Sequence, residues 1–374
     1  MPSENHHRFN DDPKDGAFHR IIGTEHPSLP VRGARGMLRA LSGCYGLGVD
    51  ARNRLYDLGL RRVYTVDRPV ISVGNLTVGG SGKTPLVLHL CEQLRRAGRR
   101  VAVLARGYGA RPGEVNDEML LISRRDKDVI CIAHPDRVAA ARMALEQYEP
   151  DVLLLDDGFQ HRRIARDLDI VLLDAQNPFG HGFVLPRGLL RESPASLRRA
   201  NLIVLTHADR LDAPERSALV ERINKQVGDV DIVTCRHAPT GLVTLDGKSA
   251  PDAPPTSAKV VCLSSIARPI SFERTVRDMG YAPVAQCAWP DHHPYTSENI
   301  AEITAWARSC GAEAILTTEK DAVKLDALDA PSDACPIFAV RIAIDFLAND
   351  GTILDAHVDA CLERASAEGS SDEP

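Results

Sequence analysis

No pair of cysteines in this chain is spaced as C-x-x-C. The nine that occur (Cys44, Cys91, Cys131, Cys235, Cys262, Cys287, Cys310, Cys335 and Cys361) stand singly. An odd number, with no visible secretory leader, argues for reduced thiols in a cytoplasmic compartment. Long apolar runs are also missing: none reaches the ~18 residues that a membrane-spanning helix needs. Basic charge is not in excess either, since 45 Lys and Arg face 51 Asp and Glu for a net charge of -6. That balance gives no support to duplex nucleic acid as the main partner, because neutralising phosphates needs a basic surface. What remains, 44% hydrophobic and 26% charged residues over 374 positions, is the composition of a soluble globular protein with room for two domains.

Along the chain, residues 1–30 are polar and lack apolar periodicity, which predicts a disordered extension, and 365–374 read as an acidic tail of the same kind. Between them, short Val/Ile/Leu runs alternate with helical patterns: "PVISVGN", "RVAVLARGYG", "DVLLLDDG", "LDIVLLDA" and "NLIVLTHAD". Continuous rather than alternating apolar runs predict strands buried on both faces. The expected fold is α/β, a P-loop NTPase-like parallel sheet flanked by helices. Ligands in such sheets bind where the strands end, and polar turns stand there. Beyond residue 209 a proline-rich connector leads into a second, smaller α/β domain. The expected division is a core over 31–209, the smaller domain over 210–345, and a C-terminal helix packing back on the core within 346–374.

The stretch 75–85, "NLTVGGSGKTP", follows a strand and opens a helix. That context makes a G-x-x-x-x-G-K-[ST] loop credible although Thr77 replaces its first glycine. The loop residues Thr77, Val78, Gly79, Gly80, Ser81, Gly82, Lys83 and Thr84 are the candidate nucleotide site. Glycines let the backbone amides turn toward phosphate oxygens, and the helix start adds partial positive charge. Lys83 suits the β- and γ-phosphates and the Thr84 hydroxyl suits Mg²⁺. The first glycine only eases the entry turn, and Gly74 offers that flexibility earlier.

A phosphate loop needs a carboxylate on a second strand to hold Mg²⁺. "DVLLLDDGFQHRR" supplies Asp156 and Asp157 at a strand end. Alternation along the strand turns them to opposite faces, so one is the direct ligand, and spacing does not say which. For a base, the residues alone leave Asp117, Asp291, His292, His293 and Glu192 as candidates. Zinc lacks the further His or Cys spacing that it would need. Residues 32–62 carry Arg32, Arg35, Arg39, Arg52, Arg54, Arg61 and Arg62 among Met37, Leu38, Leu41 and Tyr45. Composition alone fits either a helix packed on its own domain or one lying on anionic lipid.

Taken in order, "SVGNLTVGGSGKTP", "ARGYG", "NDE", "LLLDDGFQHR", "LPRGLLRE", "PDHHPYT" and "TTEKDAVKL" resemble the tetraacyldisaccharide 4'-kinase family. That family also carries Thr at the position of Thr77. The resemblance implies transfer of the ATP γ-phosphate to the 4'-hydroxyl of an acylated glucosamine disaccharide 1-phosphate, with Mg²⁺. The setting it implies is the cytoplasmic face of a bacterial inner membrane. By motif it implies Asp117 as base with His292 as its partner, and Asp157 as the principal metal anchor beside Asp156 and near Glu192. It places Arg137, Gln160 and Arg191 near the phosphates, where guanidinium forks suit spread negative charge. Three departures stand out: Asn116-Asp117-Glu118-Met119 replaces a Gly-Asp-Glu-Pro base motif, the N-terminal extension is atypical, and glycines 43, 46 and 48 weaken the anchoring helix. With an acylated substrate implied, the 32–62 segment reads as an interfacial device. The rivals are another phosphate-loop kinase or GTPase, to which "THAD" and "TEKD" are faint pointers without the guanine-reading asparagine, and a nucleotide-dependent membrane switch with no acceptor.

Overall fold

The computed structural model of the protein describes residues 7–8, 18, 21–24, 28–107, 116–329 and 334–369. Most of the N-terminal stretch expected to be disordered lies outside those residues. Within them His7–Arg8 form a two-residue strand and a long helix starts at Leu29. The acidic tail is likewise described only as far as Gly369, where the backbone is still helical. Where the sequence suggests one cut near residue 209, the chain forms two compact units, each assembled from separated segments.

The larger unit comprises residues 17–108, 126–237 and 344–374. Its sheet runs in the order Asp231–Val243, Leu202–Thr206, Leu168–Asp174, Val70–Asn75, Val152–Asp156, Val101–Ala105, Ile130–Ala133, and each of these pairings is parallel. Every residue of Val70–Asn75, Leu168–Asp174 and Val152–Asp156 is buried. Successive side chains point to opposite faces, so burial at every position means that both faces are covered. Each fully buried Leu, such as Leu153, Leu154 and Leu155, favours the folded state by roughly 1.5–3 kcal/mol. The helix Lys83–Arg96 turns Leu86, Leu90 and Leu94 inward at four-residue spacing. The C-terminal helix Asp350–Gly369 buries Leu354, Val358 and Cys361.

The first long helix, Leu29–Asp57, behaves differently. Its buried residues are polar, Ser42 and Asn53, while Leu29, Met37, Leu41 and Leu47 are exposed. Polar contacts hold it: Ser42 Oγ donates to the Val184 carbonyl at 2.7 Å and accepts from the Arg187 amide at 2.9 Å, and Tyr45 Oη donates to the Arg191 carbonyl at 3.2 Å.

The smaller unit comprises residues 1–16, 109–125 and 238–343. Its strands are ordered His7–Arg8, Ala282–Ala288, Lys259–Ser264, Ala314–Thr318, Ile337–Phe346, again with parallel pairings. The short helix Asp117–Arg125 belongs here although its neighbours in sequence fold into the larger unit. Ion pairs fix it: Arg124 meets Asp326 at 3.0 Å, and Arg125 shares Glu319 with Arg341, which reaches it at 3.0 Å. Glu319 opens the helix Glu319–Leu325, so these contacts bind two short helices to one another.

Candidate active site

In the larger unit the strand Val70–Asn75 feeds the glycine loop. Thr77 needs no glycine-like turn there, because it bridges to Leu190 in extended form while the Val78 amide donates to the Leu189 carbonyl at 2.8 Å. Gly74 has a different task from the flexibility expected of it. A Cβ there would lie 2.6 Å from the Phe159 amide nitrogen, so the missing side chain is what lets the "DDGF" turn pass. Gly79 and Gly82 hold positive φ values of 105° and 85°, and Gly82 is the residue from which the helix springs. Thr206 Oγ1 supports the loop from beneath, donating to the Ser81 carbonyl at 3.0 Å. Loop amides at a helix start are the arrangement that suits an anion.

The expected phosphate-side residues gather around Asp157. Lys83 Nζ lies 3.5 Å from its Oδ1, and Arg191 Nη1 donates to both of its oxygens at 2.9 and 2.8 Å. Arg191 also reaches Gln160 Oε1 at 3.3 Å, and Gln160 Nε2 donates to the Asn75 carbonyl at 3.0 Å. Burial works against a charge on Asp157, but Lys83 and Arg191 outweigh it and hold the carboxyl down at about 2. Asp156, the last residue of its strand, is buried. Arg137 is buried beside it, donating to the carbonyls of Asp156 and His134 at 3.1 and 2.8 Å, and burial lowers its guanidinium to about 10. Thr84 and Asp156 offer oxygen donors and Asp157 keeps an ionised carboxylate, the donor chemistry that suits Mg²⁺. Glu192, expected near the metal, is fully buried with both oxygens taken: Arg52 at 3.3 Å, Asn53 at 2.8 Å and Arg199 at 3.0 Å. Two of those partners come from the helix Leu29–Asp57.

In the smaller unit, Asp117 and His292, 175 residues apart in sequence, meet. His292 Nδ1 lies 3.0 Å from both carboxylate oxygens. Asp117 opens its helix and is buried; His292 sits at a left-handed φ of 62° in the "PDHHP" turn. Burial penalises the Asp117 charge, yet His292, Lys320 and Lys324 carry its pKa below the ordinary value. The hydrogen bond to Asp117 in turn raises His292. Of the other base candidates, Asp291 faces Lys320 at 3.2 Å, and His293 stacks on Trp289 with ring centroids 4.0 Å apart.

Sequence reasoning missed Lys320 and Lys324. Both lie 3.9 Å from Asp117 Oδ2, and Lys320 reaches His292 Nε2 at 3.3 Å. The available signal was the four-residue spacing in "EKDAVKL", which puts two cations on one face of a helix. The same segment holds one of the two pointers to a guanine-reading rival. Thr318 Oγ1 caps that helix on the Asp321 amide, and the Asp321 carboxylate accepts from Ser265 and Thr318. "TEKD" is therefore a helix start, and its aspartate is occupied.

The tetraacyldisaccharide-1-P 4'-kinase family matches residues 34–362. The tetraacyldisaccharide 4'-kinase of Anaeromyxobacter sp. (strain K) is 42% identical over 334 residues, 84% of this chain and 87% of that protein. The enzyme of the same name from Syntrophus aciditrophicus (strain SB) is 39% identical over 338 residues, 83% of this chain and 88% of the relative. Among solved structures, LpxK from Aquifex aeolicus in complex with ATP superposes with a TM-score of 0.71 at 28% identity, covering 88% of this chain and 99% of the other.

Proposed function

Because this chain belongs to the tetraacyldisaccharide-1-P 4'-kinase family, we propose that it transfers the γ-phosphate of ATP to the 4'-hydroxyl of a tetraacylated glucosamine disaccharide 1-phosphate. Asp117 takes the proton of that hydroxyl, the alkoxide oxygen bonds to the γ-phosphorus, and the bond to the β–γ bridging oxygen breaks to release ADP. The observation that carries this reading is the Asp117–His292 pair: a buried, ionised carboxylate held by one imidazole nitrogen at 3.0 Å from both oxygens. A nucleotide switch without an acceptor has no use for such a pair.

The loop amides of 79–84 and Lys83 hold the triphosphate, while Arg191, Arg137 and Gln160 stand near the oxygens where charge accumulates. Thr84 and Asp157, with Asp156 beside it, are the residues that would hold Mg²⁺. The ion, when bound, neutralises phosphate charge and favours departure of the leaving oxygen. Glu192 is already paired with Arg52 and Arg199 rather than open as a ligand.

An acylated acceptor resides in a bilayer, and the place we assign to this enzyme is the cytoplasmic surface of the inner membrane. Among the described residues no helix is long and apolar enough to cross a membrane. The helix Leu29–Asp57, with exposed Met37, Leu41 and Leu47 between arginines, suits contact with anionic lipid. The deciding experiment gives the enzyme ATP, Mg²⁺ and the tetraacyldisaccharide 1-phosphate and follows product mass. Gain of one phosphoryl group supports the reading. Hydrolysis of ATP with no phosphorylated lipid would overturn it.

A further inference from the structure

The motif "TTEKDAVKL" contains two lysines that the reaction as described leaves unused. Lys320 is mostly buried, with 17% of its side chain exposed, and its ammonium lies 3.2 Å from Asp291, 3.8 Å from Glu118 and 3.9 Å from Asp117. Burial disfavours its charge, but these three carboxylates more than compensate and keep it protonated. An ammonium has hydrogens to give and no lone pair to accept with. Its 3.3 Å contact with His292 Nε2 therefore makes that nitrogen the acceptor. A neutral imidazole whose Nε2 accepts carries its hydrogen on Nδ1, the atom that faces both oxygens of Asp117.

We propose that Lys320 is a positioning residue that fixes His292 as the Nδ1–H tautomer and thereby aims its hydrogen bond at the Asp117 carboxylate. This rests on the reading of Asp117 as base. A second proton on His292 would have to sit on Nε2, against the ammonium, so Lys320 opposes the ring protonation that Asp117 and Asp291 on balance favour. The charged groups facing the ring are Asp117 on one helix, Lys320 on another and Asp291 in its own loop, 3.9 Å from Nε2. Lys324 stands behind Asp117 and is itself held by Asp321 at 3.0 Å and Ser265 at 2.6 Å, which leaves Lys320 as the cation in contact with the ring.

The test is nitrogen-15 NMR of the histidine-labelled full chain, with His292 assigned by comparison with His292→Gln. At alkaline pH, above the ring's raised titration range, the neutral ring should show a protonated Nδ1 and a bare Nε2. In Lys320→Met the tautomers should mix and the ring should titrate at higher pH. The acid limb of the kcat profile should move up by about one unit, a roughly tenfold loss on that limb, while KM for ATP stays put. Lys320→Arg, which keeps a cation and donors, should restore the profile. A neutral wild-type ring whose single proton sits on Nε2 would overturn the inference without recourse to any variant. So would a Lys320→Met enzyme with an unshifted profile and an unchanged ring. Near-normal turnover in Asp117→Asn would instead remove the base assignment and leave the tautomer result standing, so the two failures are distinguishable.

Discussion

One methyl group at position 82 is enough to test the phosphate cradle. Gly82 has φ 85°, and a Cβ there would lie 2.4 Å from His237 Nε2, an atom shielded from solvent. Gly82→Ala meets both the ~1–2 kcal/mol cost of left-handed backbone and that collision. Calorimetric titration should show ATP affinity lost. Pairing it with His237→Ala frees the space and leaves the backbone cost, so affinity should return only in part. Asp117→Asn answers the complementary question. Turnover should fall by about 10²–10⁴-fold with ATP affinity unchanged, as read by the same titration beside a lipid phosphorylation assay. Loss of nucleotide binding in that variant would show that position 117 supports the fold rather than the proton transfer.

Among the elements, the helix Leu29–Asp57 has two separable roles. Its inner side grips Glu192 through Arg52 and Asn53. Removing that carboxylate strands Arg52 and the half-buried Arg199, and a broken buried pair costs about 3–5 kcal/mol. Glu192→Ala should therefore lower the melting temperature markedly in a thermal scan. Its outer side should matter only to lipid. Met37→Asp combined with Leu41→Asp should weaken sedimentation with anionic vesicles yet leave turnover on detergent-dispersed substrate intact. How far such elements were legible in the sequence depends on how local their causes are. "DVLLLDD" and "LDIVLLD" announce their strands because burial on both faces leaves no polar position, and the glycine loop declares itself within eight residues. Two of the three partners of Glu192 lie 139 and 140 residues away, so no local pattern could show that both its oxygens were taken. Lys320 and Lys324 were hidden because charges at four-residue spacing usually mark an ordinary solvated helix face. The Asp117–His292 pair was legible only by resemblance, since spacing left several bases open.

For the molecule as a whole, the half-buried His237 and His161 set the response to acid. Burial, helped by His207, depresses His237 to about 3, and burial with Arg137 depresses His161 to about 4. Unfolded histidine takes its proton near 6.5, so below that pH the unfolded chain binds protons that the folded chain refuses. Stability is then full above about 6.5 and declines as pH falls toward those folded values. Asp157, held at about 2, adds a further loss only below the ordinary carboxylate range near 4. Denaturant midpoints measured between pH 8 and pH 5 should fall with acid. His237→Phe should flatten that slope if the cavity accepts the ring. The division into two units was the least legible feature at this scale. The change of texture near residue 209 reports composition, whereas the units are sorted by which segments bury one another, and the helix Asp117–Arg125 joins strands that follow it by more than a hundred residues.

That sorting has a consequence during translation. The proton acceptor leaves the ribosome 175 residues before its imidazole partner, a lag of roughly 10–35 s at ordinary bacterial elongation rates. Until then its carboxylate, buried in the folded unit beside His292, Lys320 and Lys324, is left in water, and the helix Asp350–Gly369 that packs on the strand Leu168–Asp174 emerges later still. A nascent chain therefore holds every atom of the glycine loop well before Asp117 and His292 can meet.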